Sequence, residues 1–227
     1  MKFQVSKHIV IFVDILGFKE MIKDSDKKRK KEVIEAIETL LRLDDVIRRS
    51  SELVDNHSLR TMIMSDSITC SLPFISTEND PQLAMMLKGI CTFQCFLLTR
   101  GILSRGGISI GNFYQDEKIM FGEALVDSYL LEEKEANYPR VIISEQDLMI
   151  IVNNSGFMKE DIINMFSKDD DGYFFLDYLK FSQEEACNLQ YEEIEKWAIK
   201  FENSYFEVNE SISGKYRWIK EKIKECK

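Results

Sequence analysis

Positive charge is what this 227-residue chain lacks most: 30 Lys and Arg stand against 39 Asp and Glu, a formal net charge of −9. A duplex-binding surface needs a basic face to neutralise phosphates, so no nucleic acid duplex is expected as a partner. A small anionic ligand is still compatible, because a metal and a few local donors can meet its charge. Histidine is nearly absent. His8 and His57 flank strand-like segments without visible ligand partners, and no Ser/His/Asp or Cys/His arrangement stands out. The five cysteines (Cys70, Cys91, Cys95, Cys187, Cys226) are odd in number and lack metal-ligand spacing. Cys91 and Cys95, one helical turn apart in an apolar segment, read as packing residues. The apolar run near the N-terminus is too short for a signal peptide and has no small-residue cleavage site, and no segment reads as a membrane span. There is no internal repeat and no low-complexity linker. A cytoplasmic protein with reduced thiols is expected.

What is present is an ordinary globular composition, 44% hydrophobic and 30% charged, in a chain long enough to bury one sizeable core. Residues 8–14 form a run apolar enough for a strand buried on both faces. From Asp26 to Val54 the set Val33, Ile34, Ile37, Leu40, Leu41 and Ile47 recurs at helical spacing, with Lys27 to Lys31 as solvated first turns. LRTMIM and SITCSLPF, separated by Ser65-Asp66, read as a tight hairpin with a carboxylate at its tip. Asp80-Pro81 opens an apolar helix. ILSRGGISIGNFY, KIMF and YPRVIIS read as strands, and FGEALVDSYLLEEKEAN as a helix. An α/β sheet with helices packed on it follows for residues 1–150. Residues 151–227 have a different texture. One strand, GYFFLDYLKF, is followed by a helix from Glu184 to Glu210 and another from Gly214 to Lys227, which pack on the sheet or on a second copy. SKDDDGYFFLDY mimics a calcium loop at Asp169, Asp171 and Gly172, but Ser167 and Tyr178 do not fit the outer positions, so a turn is expected.

The chemistry lies in two carboxylates. Asp14 ends the first strand and Asp66 tips the hairpin; if those strands are neighbours, both emerge at one sheet edge. Such a pair, with backbone carbonyls nearby, suits Mg²⁺ or Mn²⁺ carrying a substrate's phosphates. Gly17 permits a sharp turn there, which would let the backbone N–H groups of Leu16, Gly17 and Phe18 face phosphate oxygens.

FVDILGF resembles the first metal motif of the class III nucleotidyl cyclases, and MSDSIT resembles the second. SRGGISIG is similar to that family's next strand, and FGEALVDSYLLE with YPRVIIS to its last helix and strand. The resemblance covers residues 8–144 and points most closely to divergent bacterial antiphage cyclases that make cyclic UMP or cyclic CMP. It implies a palm-like cyclase fold and two divalent ions held by Asp14 and Asp66, one of them also by the Ile15 carbonyl. It also implies a nucleoside triphosphate lying against Phe12 and residues 15–18, and a homodimer whose site is shared between chains.

The family's helix carries Asn four residues and Arg eight residues after its glycine. Counted from Gly122, these positions are Val126 and Leu130, both apolar. The base-reading Lys falls at Met62, so purine specificity does not carry over. Arg105, Lys118 and Arg140 are the replacement cations the sequence offers. Two alternatives stand beside a cyclase: a cyclase-fold sensor that binds nucleotide without turnover, and a diguanylate-cyclase-like enzyme, suggested by DILGFKEMIKD although the hairpin lacks Gly-Gly-Asp/Glu-Glu-Phe.

Overall fold

The computed structural model describes residues 3–23, 31, 34–45, 59–74, 81–184, 190–205 and 209–226. Its centre is β1 (Ser6–Ile15), which pairs antiparallel with both β3 (Ser67–Pro73) and β4 (Ser104–Gln115). With β2 (Arg60–Met64), β6 (Val141–Ile143), β7 (Phe166–Lys168) and β8 (Phe174–Leu176), the sheet runs β2-β3-β1-β4-β6-β8-β7. A short β5 (Met120–Gly122) pairs with the far end of β4. The sheet is mixed, because β6 lies parallel to β4 while the other pairs are antiparallel. This is the α/β architecture expected from the sequence, and β7 and β8, beyond residue 150, complete the same sheet.

The period-2 geometry of β1 sorts its side chains onto two faces. Ile9, Ile11, Val13 and Ile15 enter the main core with Met86, Leu87, Ile90 and Cys91 of α3 (Pro81–Leu98). Val10 packs on the opposite face with Phe113 and Ala124, below α4 (Glu123–Leu130). By length and composition α3 could cross a membrane, but 72% of it is buried inside the protein. Its all-round apolarity is that of a core helix.

α4 lies unusually close to the sheet, and glycine permits it. A Cβ at Gly107 would sit 2.3 Å from the Ser128 carbonyl oxygen, and one at Gly111 would sit 3.2 Å from the Ala124 nitrogen. After Leu130 the helix widens into one π turn, Leu131–Glu135, closed by a 2.9 Å bond from the Ala136 N–H to the Leu131 carbonyl.

The remaining elements are α1 (Phe18–Lys23), α2 (residues 34–45), α5 (Glu145–Asn153), α6 (Lys159–Asn164), α7 (Tyr178–Glu184), α8 (Tyr191–Tyr205) and α9 (Glu210–Glu225). Three differ from the sequence expectation. In α2 the inward residues are Ala36, Thr39, Leu40 and Leu43, while Ile34 and Leu41 face out at 58% and 53% exposure; Val33 and Ile47 lie outside the described residues. α5 was not anticipated, yet its signal is local: Ser144 caps it by accepting a hydrogen bond from the Asp147 N–H at 3.0 Å. GYFFLDYLKF is not one strand. It breaks at Asp177, whose carboxylate accepts from the Lys180 N–H at 3.0 Å and so starts α7.

α8 and α9 form an antiparallel pair, with Tyr216 packed on Trp197 at 5.7 Å and stacked on Phe201 at 5.2 Å. α9 then closes over the sheet: Trp218 stacks on Tyr138 at 6.0 Å and meets Phe175 edge-on at 5.5 Å.

Candidate active site

The site is built at the end of β1. Asp14 stands opposite Ser67 on β3 and opposite Arg105 on β4. Asp66 belongs to the two-residue turn between β2 and β3, where Ser65 takes a positive φ of 57°. A 3.2 Å bond from the Ile15 N–H to the Asp66 carbonyl ties that turn to β1. Asp14, Asp66 and Arg105 therefore share one sheet edge, brought together by strand pairing across 52 and 91 residues of chain (66 − 14 and 105 − 14).

Electrostatics makes this edge distinctive. Burial, the charge of Asp66 and the charge of Glu132 together raise the Asp14 pKa to about 7, against the pull of Arg105 and the Ile15 amide. Glu132, which the sequence reading passed over, comes from the π turn. Its Oε1 lies 2.6 Å from the Arg105 Nε, and the Arg105 Nη1 also donates to the Ala136 carbonyl at 3.3 Å. Burial raises the Glu132 pKa, while Arg105 opposes the rise. The glycine-permitted descent of α4 is what brings Glu132 down onto β4. Three residues earlier, Tyr129 is 42% exposed and meets Phe12 edge-on at 5.6 Å. An acid two residues beyond the apolar Leu130, facing a strand-end arginine, was the available sequence signal for Glu132.

The turn after β1 contributes less than expected. The Ile15 and Leu16 N–H groups are committed to the Asp66 and Leu103 carbonyls, the latter at 2.8 Å, so these two amides are not free for phosphate. Gly17 takes φ 77°, a left-handed conformation suited to glycine, and sends the chain into α1. Phe18 is buried and packs into the core.

Arg140 belongs elsewhere. Its guanidinium is fully buried and pairs with Asp169 at 2.5 Å and with Asp171. Tyr138, Phe175 and Trp218 surround it. The acidic run 169–171 is thus the counter-charge of a buried arginine at a turn, with Gly172 at φ 90°. Lys118 lies between β4 and β5, its N–H bonded to the Asp116 carboxylate at 2.8 Å.

Among the described residues, no group of three or more His, Cys, Asp or Glu could hold a metal alone. The two mutually repelling carboxylates of Asp14 and Asp66 are nonetheless hard-oxygen donors at one strand end. Such a set fits Mg²⁺ or Mn²⁺ when phosphate and water oxygens complete the coordination.

No protein-family profile matches the chain, and no curated protein does. Among solved structures it is similar to the monomeric guanylyl cyclase domain of the RhoGC fusion protein from the aquatic fungus Blastocladiella emersonii, with a TM-score of 0.50 and 13% identity over 78% of this chain and 98% of that one. It also matches the catalytic core of a rhodopsin-guanylyl cyclase with converted specificity in complex with ATPαS (TM-score 0.46, 12% identity, 75% of this chain and 95% of that one). A third match is a class III adenylyl cyclase-like ATP-binding protein from Pseudomonas aeruginosa (TM-score 0.36, 9% identity, 88% of this chain and 44% of that one). The chain has the fold of a class III nucleotidyl cyclase domain.

Proposed function

We propose that this chain is a metal-dependent nucleotide cyclase. It converts a ribonucleoside triphosphate, UTP or CTP, into the 3′,5′-cyclic monophosphate and pyrophosphate. The observation that carries the reading is the Asp14–Asp66 pair at the end of β1 with Arg105 directly opposite, on a cyclase fold. Asp14 and Asp66, with the Ile15 carbonyl that the family resemblance implies, would hold two Mn²⁺ or Mg²⁺ ions, which would supply acidification of the ribose 3′-hydroxyl and positive charge toward the triphosphate. The remaining steps rest on the chain itself. The 3′-hydroxyl gives its proton to water as its oxygen bonds to the α-phosphorus, and the bond to the bridging oxygen breaks with its electron pair leaving on pyrophosphate. Arg105, fixed by Glu132 and the Ala136 carbonyl, supplies positive charge at that edge for the developing oxyanion. Phe12, backed by Tyr129, forms the apolar wall beside it.

Pyrimidine specificity is supported by Met62, an apolar half-buried residue of β2 at the position where purine cyclases read the base. Residues 1–150 carry the chemistry, and residues 151–227 brace it. The enzyme is cytoplasmic and acts as a homodimer whose site is shared between chains, with α4 offering one contact surface. Val126, at 54% exposure, together with Tyr129, Phe121 and Ile119, is the apolar surface available for that contact. The product serves as a second messenger in antiphage defence, which cyclic nucleotide measurements in infected cells expressing the chain would test.

Purified protein incubated with each of the four triphosphates and Mn²⁺, with products resolved by mass spectrometry, tests the activity. A pyrimidine 3′,5′-cyclic monophosphate is the expected product; absence of any cyclic product at high protein concentration overturns the reading. The exposed Val126 on α4, where the family carries Asn, favours one rival, a sensor that binds triphosphate without turning it over. Tight binding without product would select that rival.

A further inference from the structure

Two contacts of different kinds hold Arg105. Its Nε stands 2.6 Å from the Glu132 Oε1 but out of line for a hydrogen bond, so Glu132 supplies charge more than direction. Direction comes from the Ala136 carbonyl, which accepts from the Arg105 Nη1 at 3.3 Å. Ala136 opens the irregular segment 136–140, which joins the π turn to β6. Where that segment lies decides where the guanidinium points.

A segment without a helix or strand ladder must be held by other contacts. One comes from β4, where the Gly106 N–H donates to the Arg140 carbonyl at 3.1 Å. The others come from residues 151–227. The Tyr178 hydroxyl donates to the Pro139 carbonyl at 3.1 Å, and Asp169 and Asp171 take the Arg140 guanidinium. Trp218 of α9 stacks on Tyr138, with ring centres 6.0 Å apart and planes 9° from parallel. Trp218 is itself pinned. It is buried, its Nε1 donates to the Asp169 carboxylate at 2.7 Å, and Phe175 meets it edge-on at 5.5 Å. A fixed ring from the C-terminal hairpin thus lies two residues along the chain from the carbonyl that aims Arg105.

We propose that Trp218 is a positioning residue for Arg105: through Tyr138 it holds segment 136–140, and with it the carbonyl that orients the guanidinium opposite Asp14. The α8–α9 hairpin, outside the cyclase-like segment, thereby takes part in the chemistry. The proposal rests on the cyclase reading for what the cation does. A poorly aimed cation forfeits stabilisation of the transition state more than binding of the triphosphate, so the loss belongs in kcat.

Four variants of the full chain test this, each checked for folding by circular dichroism. Trp218→Ala and Tyr138→Ala remove the stack from either side, and Tyr138→Phe keeps the ring. Ile151→Val loosens the core near Ile9 and Leu72, away from the segment. Tyr138→Ala leaves Arg140 and Trp218 with their acids, so it decides alone if Trp218→Ala does not fold. The first readout needs no turnover: the ¹⁵N NMR signal of the Arg105 Nε–H in the metal-free chain, identified by its loss in Arg105→Lys. A slowly exchanging signal is expected in the parent, Tyr138→Phe and Ile151→Val, and its loss in both alanine variants. With triphosphate and Mn²⁺, the alanine variants should lose about tenfold in kcat with KM within about twofold of the parent, and Tyr138→Phe should retain kcat. A signal that is missing from the parent, persists in either folded alanine variant, or is lost in Tyr138→Phe or Ile151→Val overturns the proposal. So does parental kcat in a folded alanine variant of a chain that cyclises triphosphate. A parent that cyclises nothing yet shows the Trp218-dependent signal removes the cyclase reading and leaves the positioning in place.

Discussion

At the scale of single residues, Asp14 has the most to lose. Asp14→Asn and Asp66→Asn should each lower product formation about a thousandfold while leaving the circular dichroism spectrum unchanged, since a charged ligand is lost without loss of volume. Near-parental turnover in either folded variant would remove the metal-site assignment. The protonation of Asp14 adds a second expectation. Its pKa rises from 3.8 to about 7, so between those values the folded metal-free chain holds a proton that the unfolded chain has released. Stability should therefore fall as pH rises through that window, and Asp14→Asn should flatten the slope in a melting series. Mn²⁺ must displace the same proton, so its affinity should tighten about tenfold from pH 6 to pH 8. A pH-independent affinity would show that Asp14 is not a ligand. The two aspartates were legible in the sequence because strand ends and hairpin tips are local patterns. Glu132 was not, because its role depends on how closely a helix descends on a strand 27 residues earlier.

At the scale of elements, the approach of α4 to β4 governs the site. Gly107→Val places a side chain where the Ser128 carbonyl already lies, 2.3 Å from the new Cβ. α4 must then lift, carrying Glu132 away from Arg105. A loss of about 3 kcal/mol in denaturant unfolding, together with weakened triphosphate binding, is expected. Gly214→Ala in α9 meets nothing within 4 Å and should add about 1 kcal/mol through helix propensity alone. Destabilisation there would mean that α9 is packed differently. Element reading from sequence succeeded where an apolar run had clear ends, as in β1, the β2–β3 hairpin and α3. It failed where a side-chain cap overrode the period. Asp177 turns an apparently continuous apolar strand into a helix, and Ser144 begins a helix inside a stretch without clear periodicity. The outward Ile34 and Leu41 show the same limit, since apolar spacing identifies a helix but two apolar stripes do not reveal which one the core receives.

At the scale of the whole molecule, Arg140 is the fastening. It sits at the start of β6, its carbonyl accepts from the Gly106 N–H at 3.1 Å, and its guanidinium meets the acids of the β7–β8 turn under Trp218. Arg140→Met should cost about 3–5 kcal/mol, because Asp169 is left buried without its main counter-charge. At temperatures where the variant is folded, KM for triphosphate should be parental; a large rise in KM would return Arg140 to the binding site. The position of β1 has a different consequence, in the order of synthesis. The strand that carries Asp14 leaves the ribosome ahead of both of its sheet partners, β4 being encoded roughly 90 residues on. At translation rates of about 5–20 residues per second, β1 waits roughly 5–20 s with its apolar edges unpaired. During that interval the nascent chain is a natural client for chaperones that hold extended apolar segments. Ribosome-bound chains halted before β4 should be protease-sensitive within residues 9–15, and those halted after β6 should not.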